Sequence, residues 1–123
     1  VELNRLDEAL LDYDKAIAIK PDYSEAYNNR GRVLAALGRF EEALISYDKA
    51  IEIKSDYAEA HNNRGFLLVV LKRFKEALAN FNRAIEIKSD FAEAMWNLSL
   101  YYLLIGDFNS GWQYHEFRFK KNH

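Results

Sequence analysis

Three asparagines, Asn29, Asn63 and Asn97, recur at one constant interval, and Asn28 and Asn62 directly precede the first two. An amide side chain carries a donor and an acceptor, so each can pair with one peptide unit of another chain whatever side chains that chain bears. That is recognition chemistry. Residues for bond-breaking chemistry are present but not arranged for it. His61 sits at an aromatic packing position, and His115 and His123 have no carboxylate or cysteine partner at metal-ligating spacing. Ser24, Ser46, Ser55, Ser89, Ser99 and Ser110 fall at turns or on helix faces, outside any nucleophile-elbow context. Gly31 and Gly65 are isolated and build no phosphate loop. Glu41–Glu42 and Lys120–Lys121 read as solvated charge. The chain is expected to bind and not to catalyse, with no cofactor and no metal.

The composition narrows what it could bind. The 123 residues suit one domain, and half of them are hydrophobic, enough for a core. Charges nearly balance at net −2, which gives no electrostatic case for nucleic acid or an anionic membrane surface. The absence of cysteine removes disulfides and thiolate metal sites. The longest apolar run, Phe66 to Leu71, is far short of the roughly 18–20 residues of a spanning helix, so no membrane insertion is expected. These residues carry no basic-then-apolar leader, and a cytoplasmic location is the expectation. The first residue is not Met, which suggests a piece of a longer protein.

The spacing of the amides belongs to a repeat. Ala26-Tyr27-Asn28-Asn29-Arg30-Gly31 returns as Ala60-His61-Asn62-Asn63-Arg64-Gly65, and residues 24–57 align with 58–91 without a gap. A further unit starts at Ala92, matches through Asn97 and then drifts. At the front, Ala9, Tyr13, Ala16 and Pro21 precede Ala43, Tyr47, Ala50 and Ser55 by the same interval. A single domain over 1–123 is therefore expected, with a partial repeat at 1–23, repeats at 24–57 and 58–91, and a degenerate terminal repeat at 92–123. A period of about 34 residues, made of two amphipathic segments, is the mark of a helical solenoid. Helical spacing predicts helices near 6–19, 24–37, 40–53, 58–71, 74–87, 92–105 and 108–120. Gly38 and Gly106 suit left-handed helix ends, and Lys72 stands where the middle unit would have glycine. Asp22, Asp56 and Asp90 lie three residues before Glu25, Glu59 and Glu93, the spacing of a capping box. Gly31, Gly65, Ala43, Ala77, Ala50 and Ala84 are small enough for helices to approach closely.

These residues resemble the tetratricopeptide repeat, whose pattern runs from an aromatic through a large residue and Gly to Ala, aromatic, Ala and Pro. Here it reads Tyr27, Arg30-Gly31, Leu34, Ala43, Tyr47 and Ala50, then His61, Arg64-Gly65, Leu68, Ala77, Phe81 and Ala84. Ser55 and Ser89 replace proline, arginine replaces the usual leucine, and in the last unit Ser99, Gly111 and Arg118 depart from the pattern. The resemblance implies an all-α, right-handed α-α superhelix whose first helices line a concave face. It places Asn29, Asn63 and Asn97 there as a ladder, with Asn28, Asn62 and Trp96 beside it and Arg32, Phe66 and Leu100 further along. It also implies no carboxylate clamp, because Glu93 and Asn97 stand where lysine and arginine would be needed. Residues 106–120 are similar to the segment closing the array in bacterial tetratricopeptide proteins that often precede a glycosyltransferase-like domain.

The expected function is a protein-interaction module that takes an extended peptide or partner segment in its concave groove. One alternative is self-assembly, with exposed repeat ends stacking copies into a homo-oligomer. Another is a substrate-recruiting arm of a larger bacterial glycosyltransferase. Phe108, Trp112, Tyr114, Phe117 and Phe119 cannot all face one neighbouring helix, so an exposed aromatic patch is expected near the C-terminus.

Overall fold

The computed structural model describes the backbone of residues 2–104 and the side chains of residues 5–100 and 102. Those residues form six helices: α1 (Glu2–Ile19), α2 (Ser24–Ala36), α3 (Phe40–Ile53), α4 (Ala58–Val70), α5 (Phe74–Ile87) and α6 (Ala92–Leu104). No strand occurs among them. The fold is all-α, a helical solenoid. Each helix packs on its neighbour in sequence, and the first helices of successive repeats also touch, α2 on α4 and α4 on α6. The expected segment 108–120, Gly106 and the aromatic cluster lie outside the described residues. Helix α1 begins at Glu2, earlier than its apolar pattern starts.

Close approach of the paired helices depends on two glycines. A Cβ on Gly31 would lie 2.6 Å from the Tyr47 ring, and one on Gly65 would lie 2.7 Å from the Phe81 ring. Both rings are buried, so each glycine is the socket for an aromatic from the second helix of its own repeat. Leu34, Ala43, Leu68, Ala77 and Leu98 complete a core that runs continuously from repeat to repeat.

The turn inside each repeat is closed by backbone. Gly38 N–H bonds Ala35 C=O at 3.0 Å and Arg39 N–H bonds Leu34 C=O at 2.9 Å, a Schellman ending. The next repeat copies it through Lys72 to Val69 at 3.0 Å and Arg73 to Leu68 at 2.8 Å. Gly38 has φ +78° and Lys72 has φ 62°, so lysine occupies a left-handed position. The capping boxes are not formed at α2 and α4. Their N-cap residues are Tyr23 and Tyr57, without a side-chain cap bond, which leaves Asp22 and Asp56 one residue outside the capping position. Glu25, Glu59 and Glu93 instead lie in the first turns, where a negative charge meets the positive end of the helix dipole.

Candidate peptide-binding groove

Helices α2, α4 and α6 lie side by side and form the walls of a continuous groove. Its polar part is lined by Glu25, Asn29, Lys54, Tyr57, Glu59 and Asn63, among others, and holds about 520 Å³. Its more apolar part holds about 390 Å³ and is lined by Ala36, Phe40, Tyr47, Phe66, Leu67 and Val70. Arg32, Asn62, Asn63 and Glu93 border both parts, which makes them one surface. Phe66 is 56% exposed and Val70 47%, so this wall presents unusually open apolar area.

The amides are placed by the repeat and by one another. Asn63 Nδ2 donates to Asn28 Oδ1 at 3.1 Å, and Asn97 Nδ2 donates to Asn62 Oδ1 at 3.0 Å. Each is a clasp from one repeat to the preceding one, and its donor–acceptor sense assigns the amide orientation. Asn28 and Asn62, expected beside the ladder, are buried, at 4% and 2% exposure; Asn28 borders the polar part of the groove and Asn62 both parts. Asn29, Asn63 and Asn97 are half-buried and border the groove. No polar side-chain atom of the described residues is both buried and unpartnered. The Oδ1 atoms of Asn63 and Asn97, which accept no bond among the described residues, therefore reach solvent, as does the whole amide of Asn29. Arg32 and Phe66 border the groove, whereas Trp96 and Leu100 are exposed on α6 and line neither of these two parts.

The ionisable groups of the groove are tuned by burial and proximity. Burial pushes the Tyr47 phenol up to about 12, with the Arg32 guanidinium acting against it, so the hydroxyl is neutral at ordinary pH. Tyr57 is also raised, chiefly by burial and then by the Glu25 carboxylate, with the Asn28 amide opposing. Lys54 Nζ lies 4.9 Å from the centre of the Tyr57 ring, and Lys88 Nζ lies 5.1 Å from that of Phe91. The same lysine–aromatic pairing recurs with Lys20 and Tyr23 at 5.1 Å.

Away from the groove, the structure shows what the unusual arginines do. Arg30 Nε donates to Asp14 at 2.7 Å and its Nη1 to Ser46 Oγ at 2.7 Å. Arg64 repeats this with Asp48 at 2.7 Å and Asn80 Oδ1 at 2.6 Å. Each therefore joins the second helix of its own repeat to that of the repeat before. The signal was in the sequence as paired, equal spacings recurring at the repeat period, but nothing local distinguished it from solvated charge. His61 extends the second network: its Nε2 bonds Ser55 C=O at 2.9 Å and its Nδ1 faces Asn80 Nδ2 at 3.2 Å. A carbonyl only accepts, so Nε2 carries the proton and Nδ1 accepts from Asn80. Burial, helped by Arg83 and Arg64, holds the His61 pKa below its ordinary value, although the bond to Ser55 pulls the other way.

The family profile described as TPR repeat matches residues 1–38 and 31–71, and that described as tetratricopeptide repeat matches residues 58–91. The matched stretches cover well over half the chain, which belongs to the tetratricopeptide repeat family. Repeats of this class are protein-interaction units, and at that level the chain is an interaction scaffold. Among solved structures, a crystal structure of MamA superposes with a TM-score of 0.81 at 23% identity, over 90% of this chain and 65% of that one. A second MamA protein structure gives 0.81 at 23% identity, over 92% and 62%. The structure of MamA 41-end from Desulfovibrio magneticus RS-1 gives 0.85 at 14% identity, over 97% and 67%. The chain thus spans about two thirds of the length of these structures, and at such identities the likeness concerns the fold. No curated protein matches the chain.

Proposed function

We propose that the groove across α2, α4 and α6 takes an extended peptide segment of a partner protein, with Asn29, Asn63 and Asn97 contacting its backbone. The observation that carries this reading is the continuity of the groove: half-buried amides at the repeat period border the same space as the open side chains of Phe66 and Val70. A backbone pairs with amides whatever its sequence, while apolar side chains of the guest are selected by the Phe66 wall. The clasps refine the ladder, because Asn63 and Asn97 each use an N–H on the preceding repeat and offer their oxygens to a guest. Asn29 offers both ends. No catalytic role is proposed for any residue.

The test uses peptides selected from a randomised extended library on the purified chain. Asn29→Ala with Asn63→Ala weakens capture about 5- to 30-fold, the loss of one or two hydrogen bonds. Phe66→Ala, at an exposed position, weakens it comparably with helicity intact. Unchanged capture by both variants rejects the groove. Self-association is the second reading, favoured by the exposed apolar side chains of Phe66, Val70 and Leu100. A molar mass that climbs with concentration in light scattering would support it. Recruitment for a glycosyltransferase-like domain is a third, resting on residues 106–120, and the complete gene decides it.

A further inference from the structure

The rim of the groove made by the first turns of its helices carries a carboxylate on each of α2, α4 and α6: Glu25, Glu59 and Glu93. All three border the polar part of the groove. Glu25 and Glu93 enter no ion pair among the described residues, and Glu59 meets Lys88 only at 3.6 Å, with both side chains half exposed. The lining of the polar part carries these three carboxylates against two bases, Arg32 and Lys54. Lys54 lies over the Tyr57 ring. Arg32 enters no ion pair among the described residues and lies seven residues, about two turns, beyond Glu25 on α2. Its counterparts in the next two repeats are Phe66 and Leu100.

The amide clasps bias the floor in the same direction. One N–H of Asn63 and one of Asn97 are committed to Asn28 and Asn62, which leaves each amide an oxygen that accepts nothing and a single N–H. Carboxylates and amide oxygens together form a row rich in acceptors, and only donors complement it. Beyond the row, the Phe66 and Val70 wall is apolar and open.

Resting on the groove reading above, we infer that the guest is a basic–apolar peptide segment: a lysine or arginine seated on the Glu25–Glu59–Glu93 rim, with a large apolar side chain close by in its sequence against Phe66 and Val70. An acidic guest would face the like charge of the three carboxylates. On α4 the sequence from Glu59 to Phe66 and Val70 sets the order in which the guest must present the two.

Selection from a randomised peptide library on the purified chain tests this. The expected winners combine Lys or Arg with a large apolar residue, and replacing that base by Glu weakens their binding on the order of fivefold or more. Raising the salt weakens the basic peptides and leaves uncharged controls unmoved. The triple change Glu25→Gln, Glu59→Gln and Glu93→Gln keeps side-chain length and helix former, and abolishes the preference for base. Glu93→Gln alone, checked for helicity, lowers it partway and guards against a misfolded triple variant. Winners that lose affinity with Phe66→Ala but show no preference for base, or a preference that survives the Gln changes, overturn this inference and leave the groove standing. Winners indifferent to Phe66→Ala, or no winners at all, overturn both.

Discussion

Lys72 and Gly38 occupy the same place in consecutive repeats and allow one experiment to be run in both directions. Both end the first helix of a repeat in the left-handed region, at φ 62° and +78°, with matching backbone bonds. A side chain there costs about 1–2 kcal/mol through the contact of Cβ with the following carbonyl. Glycine gives back about 0.4–1 kcal/mol by loosening the unfolded chain. The Lys72 side chain is exposed and in no ion pair among the described residues, so nothing else is lost with it. Lys72→Gly is therefore expected to stabilise by about 0.5–1 kcal/mol. That corresponds to a rise of roughly 2–6 °C in the midpoint of thermal unfolding. Gly38→Ala should lower the midpoint by a similar amount, since no atom lies within 4 Å of the added Cβ and only the backbone is strained. Circular dichroism melts of both variants, with urea titrations as a second measure, provide the check. A Lys72→Gly chain no more stable than the parent, beside a Gly38→Ala chain no less stable, would refute the conformational argument. Peptide capture should be unaffected in both, because neither residue borders the groove.

Gly65→Ala should lose about 1–2 kcal/mol in urea, overpacking against the fully buried Phe81 ring outweighing the better helix propensity of alanine; a stabilised variant would show that the ring has room to retreat. Arg64→Ala leaves the buried Asn80 oxygen without its donor and is expected to cost about 1–3 kcal/mol, whereas Arg39→Ala, which breaks an exposed pair with Glu42, should barely shift the unfolding curve. Equal effects in paired denaturation curves would contradict that contrast. The lowered pKa of His61 means that the unfolded chain takes up its proton first as pH falls. Stability should be full above the ordinary histidine value of about 6.5 and decline below it, through the lowered folded value. His61→Tyr, copying Tyr27 of the preceding repeat, should flatten that part of the pH profile.

Much of this architecture was legible in the chain because a solenoid is built from local contacts. Helices α2 to α6 fall within a residue or so of the segments that periodicity marked, and Lys72, which the register sets opposite Gly38, takes the same left-handed backbone. The capping boxes fail for an instructive reason. Asp56 stands three positions before Glu59, but the helix starts one residue later than that pattern requires, and spacing alone carries no absolute register. The arginines in place of leucine looked like plain departures until their partners, 16 residues away in opposite directions, were seen to meet them.

The amides show where the division falls. Their recurrence at the repeat period, the helices that carry them and their common side of the array follow from sequence, because identical short segments fold identically and stack with a constant offset. Which atoms they offer does not follow. Asn28 and Asn62 read like their neighbours Asn29 and Asn63, yet the first pair is buried as acceptors and the second stands at the groove, with one N–H of Asn63 committed to the preceding repeat. That assignment depends on the rotation and spacing between adjacent repeats. Only packing sets those quantities, through the sum of many side-chain contacts that no single repeat contains.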